Sequence, residues 1–365
     1  MNENNPNENE VTELIQKKSS AKNIKAYISL ALAAVLVIAS FVVALCRVSQ
    51  SEDESVSNNS EVSYESLVEV SQESSEAEET SIEESSEEEE LFPVINVTTP
   101  ENIAAAAIYE ADSLYCIYGE NIDEQRNIAS ITKLVTASVA IKYMPLDTMI
   151  TVGSELSLVK PDSSVCGLRE GYRLNLKQLL YGLLMSSGND AAYTIAVNVA
   201  RYQSGNKEMS DRDAVEYFCG LMNTLASEIG ATNSSFSNPE GWDDENNYST
   251  VQDLAVIARY AKNQELIAEI SSTVYYTTPI ASGGAMTFTN SNFLLHEGGR
   301  FYSPYATGLK TGSTSGAGKC LVATVNIDGH DYIAVVLGCP NDEARYSSML
   351  ALISYIEEYN TLKFA

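Results

Sequence analysis

A serine and a lysine, Ser130 and Lys133, stand three positions apart in a largely apolar stretch that runs from 127 to 142. The pattern predicts a helix, and residues three apart lie on the same helical face, so the two side chains can touch. A serine hydroxyl becomes a good nucleophile when a neighbouring base takes its proton. A partly buried lysine with a lowered pKa can be that base. The pair therefore indicates nucleophilic catalysis, although Ser-x-x-Lys alone is common in unrelated helices.

Two more polar motifs follow, 57 residues after Ser130 and then another 123 residues along the chain. The first falls on a turn between apolar helical segments, where a serine can relay a proton and an amide can bind a peptide. The second falls on a strand, where a lysine and a threonine suit a carboxylate and a glycine lets a backbone approach closely. Together the three motifs predict one cleft. The two later motifs are Ser187-Gly-Asn189 and Lys310-Thr-Gly312, the latter followed by Ser313 and Thr314.

The elements that carry these motifs are a strand pair, a helical block, further strands and a last helix. Period-two runs that favour strands surround helical patterns with Ser210 and Thr250 as predicted N-caps. We predict an α+β domain whose termini meet on one antiparallel sheet, with a helical region inserted between the strands. The predicted strands are 103–110, 113–118, 274–278, 287–295, 305–311, 320–327 and 332–337, and the other helices include 174–185, 190–200 and 344–359.

An uncharged apolar segment near the N-terminus predicts a membrane anchor. Residues 26–46 are long enough to cross a bilayer as a helix, and four lysines precede them while only Arg47 follows. The positive-inside rule then puts residues 1–25 in the cytoplasm and everything after residue 47 outside the cell membrane. A cleaved signal peptide is the alternative interpretation.

The charge distribution and the cysteine and histidine content exclude some classes of function. Sixteen acidic residues and no basic ones lie in 48–92, which supply more than half of the net charge of −28. This Ser/Glu-rich linker, 47–92, is predicted to be a disordered tether, and nucleic acid is an unsuitable partner. Residues 93–365 are predicted to be one catalytic domain. Its five scattered cysteines and two histidines do not form a zinc pattern, and no metal or cofactor is implied.

The motif set resembles that of the penicilloyl-serine transferases, the β-lactamases and penicillin-binding proteins. Over roughly 95–360 the chain is most similar to the D-alanyl-D-alanine carboxypeptidases among the low-molecular-mass penicillin-binding proteins. The resemblance implies a transpeptidase-like fold in which helices flank a five-stranded antiparallel sheet. The stretches that carry it, beyond the three motifs, are Ser163-Ser-Val-Cys-Gly-Leu168, Leu179-Leu-Tyr-Gly-Leu-Leu-Met-Ser-Ser-Gly-Asn-Asp-Ala-Ala192, Asn238-Pro-Glu-Gly-Trp-Asp243, Tyr248-Ser-Thr250, Thr307-Gly-Leu-Lys-Thr-Gly-Ser-Thr314 and Gly338-Cys-Pro-Asn-Asp-Glu-Ala-Arg345.

The resemblance also assigns roles and a reaction. The expected reaction removes the terminal D-Ala from peptidoglycan stem peptides ending in D-Ala-D-Ala through an acyl-serine intermediate, with β-lactam antibiotics as covalent inhibitors. By the resemblance, Ser130 is the nucleophile, Lys133 the general base, Ser187 the proton relay and Asn189 a substrate-positioning amide. The groups expected to bind the substrate carboxylate and backbone are Lys310, Thr311, Gly312, Ser313 and Thr314, and the N–H groups of Ser130 and Ser313 are expected to form the oxyanion hole.

Departures from the family pattern bear on substrate fit: Ile128 stands where proline is common, Trp242 where leucine is frequent, and Asn247 where histidine is frequent. Three alternatives remain open at this stage: a serine β-lactamase, an endopeptidase or transpeptidase on cross-linked peptides, and a non-enzymatic module that senses penicillin or muropeptides. Gly188 and the absence of a following Glu-x-x-Leu-Asn count against a class A β-lactamase. The intact motif residues count against a sensor.

Overall fold

The computed structural model describes residues 103–364. The strands are β1 (Ala105–Glu110), β2 (Cys116–Glu120), β3 (Met149–Thr151), β4 (Arg173–Asn175), β5 (Tyr275–Pro279), β6 (Ala285–Thr289), β7 (Ala306–Thr314), β8 (Gly318–Ile327) and β9 (His330–Cys339). The helices are α1 (Lys133–Tyr143), α2 (Leu176–Leu184), α3 (Asn189–Ser204), α4 (Asp211–Ile229), α5 (Val251–Lys262), α6 (Glu265–Ser272) and α7 (Asp342–Phe364), with 3₁₀ turns at Ala129–Thr132, Ser154–Leu158 and Phe293–Leu295.

A five-stranded antiparallel sheet organises the domain in the order β2-β1-β9-β8-β7. The first strand pairs with β9, so the two ends of the described chain meet in the sheet, and the predicted α+β architecture is confirmed. Helices α1 to α6 lie in sequence between β2 and β7, which confirms the predicted helical insertion. Because β7 is an edge strand, its outer side is open to the turn that carries Ser130.

Both faces of the sheet are covered by helices, which explains why its strands are apolar at nearly every position. Alternate residues of one strand belong to two separate cores: Ala107 packs with the inserted helices, whereas Ile108 packs with α7. Neighbouring side chains of a strand point to opposite faces, so a sheet buried on both sides loses the polar alternation of a half-exposed one.

Several predicted elements have different bounds in the structure: the strand predicted over 113–118 is Cys116–Glu120, and the helix predicted over 344–359 is Asp342–Phe364. The predicted strand 287–295 stops at Thr289, and the side-chain amide of Asn290, the next residue, donates to the carbonyls of Ser271 and Thr273. The predicted helix 127–142 begins as an α-helix only at Lys133, after a 3₁₀ turn. The predicted caps are present: Ser210 Oγ accepts from Asp213 N at 3.2 Å, and Thr250 Oγ1 accepts from Asp253 N at 3.1 Å.

Several expectations fall outside residues 103–364, namely the tail 1–25, the anchor 26–46 and the linker 47–92. Within the described range, no helix combines the length and apolarity needed to cross a bilayer. The cysteines of this range, at 116, 166, 219, 320 and 339, are all free thiols.

Candidate active site

The nucleophile motif forms a tight turn that leads directly into α1. Ser130 lies in the 3₁₀ turn Ala129–Thr132, and Lys133 is the first residue of α1. The Lys133 Nζ lies 2.8 Å from Ser130 Oγ, so the contact predicted from the spacing is present. Ala129 has a φ of 50°, a left-handed conformation that is strained for a residue with a side chain.

Two glycines on neighbouring segments hold this turn in place. A Cβ on Gly241, whose φ is +90°, would lie 1.9 Å from the Ala129 carbonyl oxygen. A Cβ on Gly312 would lie 2.9 Å from the Ile128 carbonyl oxygen. Since real Cβ atoms do not approach backbone oxygens that closely, only glycine lets β7 and the 238–242 segment close on the nucleophile turn.

The amine of Lys133 is fully buried and has three oxygen neighbours. Besides Ser130, its Nζ donates to Asn189 Oδ1 at 2.8 Å and to the main-chain carbonyl of Glu240 at 2.7 Å. Burial lowers the pKa of Lys133 to about 7, against the opposing effect of the carboxylates of Glu240 and Asp190. A large share of this amine is therefore neutral near pH 7, as a general base for Ser130 must be.

The second motif is built by a sharp turn between α2 and α3. Ser187 has a φ of 55°, and the Gly188 N–H donates to the Gly182 carbonyl at 3.1 Å. Asn189 then starts α3, with its side chain on Lys133. The Ser187 hydroxyl accepts from Lys310 Nζ at 3.1 Å, so the second and third motifs are in direct contact.

The residue after this motif fixes one wall of the cleft. The buried Asp190 carboxylate accepts from the backbone N–H groups of Cys166, Gly167 and Leu168, each at 2.9 Å. Charge-assisted bonds of this kind are stronger than neutral ones. They tie the loop 163–168 to the start of α3.

Lys310 lies on β7 with its amine enclosed. The side chain is 1% exposed, and its Nζ also donates to the Thr311 carbonyl at 2.9 Å. Burial, followed by the positive charges of Lys133 and Arg345, holds the pKa of Lys310 well below its usual range. No acidic group contributes to that shift, so a substrate carboxylate placed nearby would supply the missing counter-charge.

The other β7 residues line or support the cleft. Thr311 Oγ1 lies 2.8 Å from Ser291 Oγ, and Ser313 is exposed on the cleft wall. Thr314 Oγ1 donates to Asp243 Oδ1 at 2.5 Å and thereby joins β7 to the 238–243 stretch. A role for Thr314 in binding the substrate carboxylate stays a prediction, since its hydrogen atom is directed to Asp243.

These residues surround a cleft of about 310 Å³. Lys133, Ser187 and Lys310 are buried beside it. All three sequence motifs therefore converge on one place, with the serine hydroxyl at the surface and the two amines behind it. The cleft is lined by Ser130, Asp162, Ser163, Ser164, Asn189, Glu240, Gly241, Trp242, Asp243, Ser313, Thr314 and Ser315.

Sequence reasoning assigned no role to Glu240 or Asp243, although both lie in the site. Their segment is shaped by Asn238, whose Oδ1 accepts from the N–H groups of Gly241 at 2.7 Å and Trp242 at 3.0 Å. An asparagine followed by proline and glycine is a turn signal, and this was the available clue. The contact of Glu240 with Lys133 uses a main-chain carbonyl, which leaves no mark in the sequence.

Known proteins are similar to this chain in sequence. A family model described as D-alanyl-D-alanine carboxypeptidase matches residues 94–341. The D-alanyl-D-alanine carboxypeptidase of Streptomyces sp. (strain K15) is 32% identical over 274 residues, which are 72% of this chain and 90% of that protein. The D-alanyl-D-alanine carboxypeptidase DacF of Bacillus subtilis is 28% identical over 262 residues, or 70% of this chain and 63% of that protein.

Solved structures of similarly named proteins also resemble the fold of this chain. The crystal structure of the Streptomyces K15 DD-transpeptidase is 30% identical with a TM-score of 0.64, covering 71% of this chain and 98% of that one. The D-alanyl-D-alanine carboxypeptidase of Mycobacterium tuberculosis is 25% identical with a TM-score of 0.61, covering 72% and 94%. On the family match and the shared fold, this chain belongs to the D-alanyl-D-alanine carboxypeptidase family of serine peptidases.

Proposed function

We propose that this chain is a membrane-anchored D-alanyl-D-alanine carboxypeptidase that removes the terminal D-Ala from peptidoglycan stem pentapeptides. The observation that carries the proposal is the buried Lys133 amine, which lies between Ser130 Oγ and Asn189 Oδ1 at 2.8 Å from each. A base with a pKa of about 7, in contact with a serine at the surface of a peptide-sized cleft, is suited to acyl transfer.

In the acylation step, neutral Lys133 takes the Ser130 proton while Oγ bonds to the carbonyl carbon of the penultimate D-Ala. The peptide C–N bond then breaks, and the leaving amine of the terminal D-Ala receives a proton through Ser187. Water, deprotonated by the same base, attacks the acyl-serine ester and releases the shortened peptide. Backbone N–H groups of Ser130 and Ser313 would stabilise the oxyanion, and such donors are typically worth about 3–4 kcal/mol each.

The substrate carboxylate would lie along β7. Lys310, Thr311 and Thr314 all lie on this strand, and Gly312 between them is in close contact with the backbone of the Ser130 turn. Gly312 allows the close backbone approach that a peptide lying antiparallel to an edge strand requires. Recognition of a free chain end is thus assigned to residues of β7, and the acyl-transfer steps are assigned to Ser130, Lys133 and Ser187.

The test is to incubate the full-length chain with a pentapeptide ending in D-Ala-D-Ala and to follow loss of one D-Ala by mass spectrometry. Release of a single D-Ala at a catalytic rate by the wild type, and none by Ser130→Ala, is expected. A wild type that leaves the peptide intact would refute the proposed activity.

A second candidate function is transpeptidation, which one comparison favours. The similar crystal structure from Streptomyces K15 is described as a DD-transpeptidase, whereas the similar sequence from Streptomyces sp. (strain K15) is described as a D-alanyl-D-alanine carboxypeptidase. An acyl-serine can be resolved by an amine as well as by water. An amino-acid amide is added to the pentapeptide assay as acceptor, and the product mass is measured by mass spectrometry. A product that carries the acceptor indicates transpeptidation, and one that has only lost D-Ala indicates hydrolysis.

Covalent binding of β-lactams follows from the same chemistry, since Ser130 would open the β-lactam ring as it attacks a peptide. We expect slow, stoichiometric acylation by nitrocefin. Fast catalytic turnover would instead identify a β-lactamase. A stable adduct without any peptide hydrolysis would favour the sensing module.

The anchor is proposed from the composition of residues 26–46, which lie outside the described residues. The full-length chain is expected in the membrane fraction of expressing bacteria. A chain of residues 48–365 is expected in the soluble fraction with unchanged peptide hydrolysis. Full-length protein that is released by high salt alone would contradict a membrane-spanning segment.

A further inference from the structure

The side chain of Glu240 has no part in the steps derived above, although its main-chain carbonyl contacts Lys133. Its carboxyl is 1% exposed and lies beside the active-site cleft. Oε1 accepts from the Tyr193 hydroxyl at 2.8 Å, and the Asn189 side chain also favours the ionised carboxyl. A carboxylate buried this completely is unfavourable for folding, so it calls for a functional explanation.

The backbone that carries this carboxyl is in direct contact with Lys133. The Glu240 carbonyl accepts from Lys133 Nζ at 2.7 Å, and the neighbouring Pro239 carbonyl accepts from Thr136 Oγ1 at 2.6 Å. On the other side, Gly241 is in close contact with Ala129. The backbone of the segment is therefore anchored on both the first turns of α1 and the nucleophile turn, while the Tyr193 hydroxyl binds the carboxyl itself.

Glu240 is the acidic group whose charge has the larger effect on Lys133. Asp190 also faces the amine, but its carboxylate is occupied by three backbone N–H groups of the loop 163–168. Ser130 and Lys310 of β7 are the other groups near the Lys133 amine. Tyr193 of α3 and Lys160 act on the Glu240 carboxyl, and Arg345 of α7 acts on Lys310.

We propose that Glu240 is a positioning residue whose carboxylate stabilises the ammonium form of Lys133 that is created when Ser130 is acylated. The inference rests on the proposed function. In that step the Ser130 proton moves to Lys133, so a neutral amine becomes a cation in a site enclosed by protein. The buried carboxylate of Glu240, the residue whose carbonyl binds this amine and whose Oε1 is held by Tyr193, provides the counter-charge as the cation forms, with no reorganisation of solvent.

The electrostatics agree with this geometry. Burial raises the pKa of the Glu240 carboxyl, while Lys133 and the Tyr193 hydroxyl favour its ionised form. The pKa of Tyr193 is in turn raised by burial and by Glu240, so its hydroxyl stays protonated and donates. Burial lowers the pKa of Lys133, and the Glu240 carboxylate raises it. Removing the carboxylate should therefore lower the pKa of Lys133 further.

The test is the pH dependence of acylation in full-length wild type and Glu240→Gln, which keeps the shape and removes the charge. A lower pKa makes the neutral base available at lower pH, so the acid limb of kcat/KM should move down by about one pH unit. The plateau should fall about tenfold or more, because the ammonium formed in the transition state loses its counter-charge. KM should change less than kcat.

Two variants separate charge from packing. Glu240→Asp retains a carboxylate, and Tyr193→Phe removes only the hydroxyl that binds it, so both should keep the acid limb within a few tenths of the wild-type value. A slower Glu240→Gln enzyme with an unmoved acid limb would overturn the proposal, because a purely structural role predicts that result. An acid limb that moves equally in all three variants would also overturn it.

A direct titration keeps this test independent of the proposed function. The Lys133 signal in protein labelled with carbon-13 at lysine Cε, assigned by its loss in Lys133→Arg, reports the pKa without any substrate. A lower Lys133 pKa in Glu240→Gln is expected even if the D-Ala-D-Ala peptide is not hydrolysed. An unchanged pKa refutes the role of Glu240, whereas an inactive wild type with the expected shift refutes only the proposed function.

Discussion

Lys310 is the residue at which recognition of a chain end can be separated from catalysis. Replacing it by glutamine removes an amine that a bound substrate carboxylate would keep protonated, but keeps a side chain able to donate to Ser187. Its Nζ is 3.1 Å from Ser187 Oγ, so part of the effect must fall on proton relay and be common to all substrates. The remaining effect should fall only on substrates that end in a free carboxylate.

The magnitudes follow from these contacts. Loss of the Lys310 amine as the partner of Ser187 should lower kcat/KM for every substrate by about tenfold, which corresponds to about 1.4 kcal/mol. A carboxylate left without its cation loses a charged hydrogen bond worth about 1.5–3 kcal/mol, or about 10- to 100-fold more. We therefore expect a total loss of about 10² to 10³ for the acid and about tenfold for the amide.

The assay compares kcat/KM for a D-Ala-D-Ala peptide as free acid and as terminal amide, in wild type and Lys310→Gln. Lys177→Gln is the matched control, because this lysine is exposed on α2 and is paired with Glu269, away from the cleft. The control should leave both rates unchanged. Equal losses on acid and amide in Lys310→Gln would refute carboxylate recognition and leave Lys310 with an effect on Ser187 alone.

Three further predictions follow from the site. Because the pKa of Lys133 is lowered to about 7 and the neutral amine is the base, kcat/KM in the wild type should fall as pH drops below about 7, with a slope of one. Ser130→Ala should abolish labelling by a fluorescent penicillin while leaving the circular dichroism spectrum unchanged; labelling of another serine would contradict the nucleophile assignment. Gly241→Ala should lower the free energy of unfolding by about 3 kcal/mol or more, because the new Cβ meets the Ala129 carbonyl at 1.9 Å in a left-handed conformation; a melting temperature equal to that of wild type would show that the segment can move.

Much of the site could be predicted because its chemistry is local in sequence. Ser130 and Lys133 are three residues apart, and Ser187 and Asn189 lie on one turn, so spacing alone places each pair together. The sheet was equally accessible, since apolar runs covered on both faces have a recognisable pattern and β1 and β9 close the domain. Side-chain caps such as Ser210 are also encoded within four residues.

The parts that could not be predicted depend on contacts between distant segments. Lys133 and the Glu240 carbonyl are 107 positions apart, and any residue could have supplied that oxygen. Thr314 and Asp243 are separated by 71 positions, and neither side chain alone indicates the other. The end of β6 at Thr289 could not be predicted either. The side-chain amide of Asn290, the next residue, binds the carbonyls of Ser271 and Thr273, which lie 17 to 19 positions earlier.

The start of α1 shows why the nucleophile is not carried on a regular helix. Ala129 and Ser187, at or beside the two active serines, both have positive φ values, 50° and 55°. Such backbone strain, of order 1–3 kcal/mol per residue, persists only where the surroundings fix it. Here the surroundings are Gly241 and Gly312, whose missing side chains let two segments press on the nucleophile turn. The tight turn brings Ser130 up to β7 while Lys133 begins a buried helix. The base is thereby desolvated and the nucleophile stays open to a peptide, a combination that one continuous helix surface would not provide.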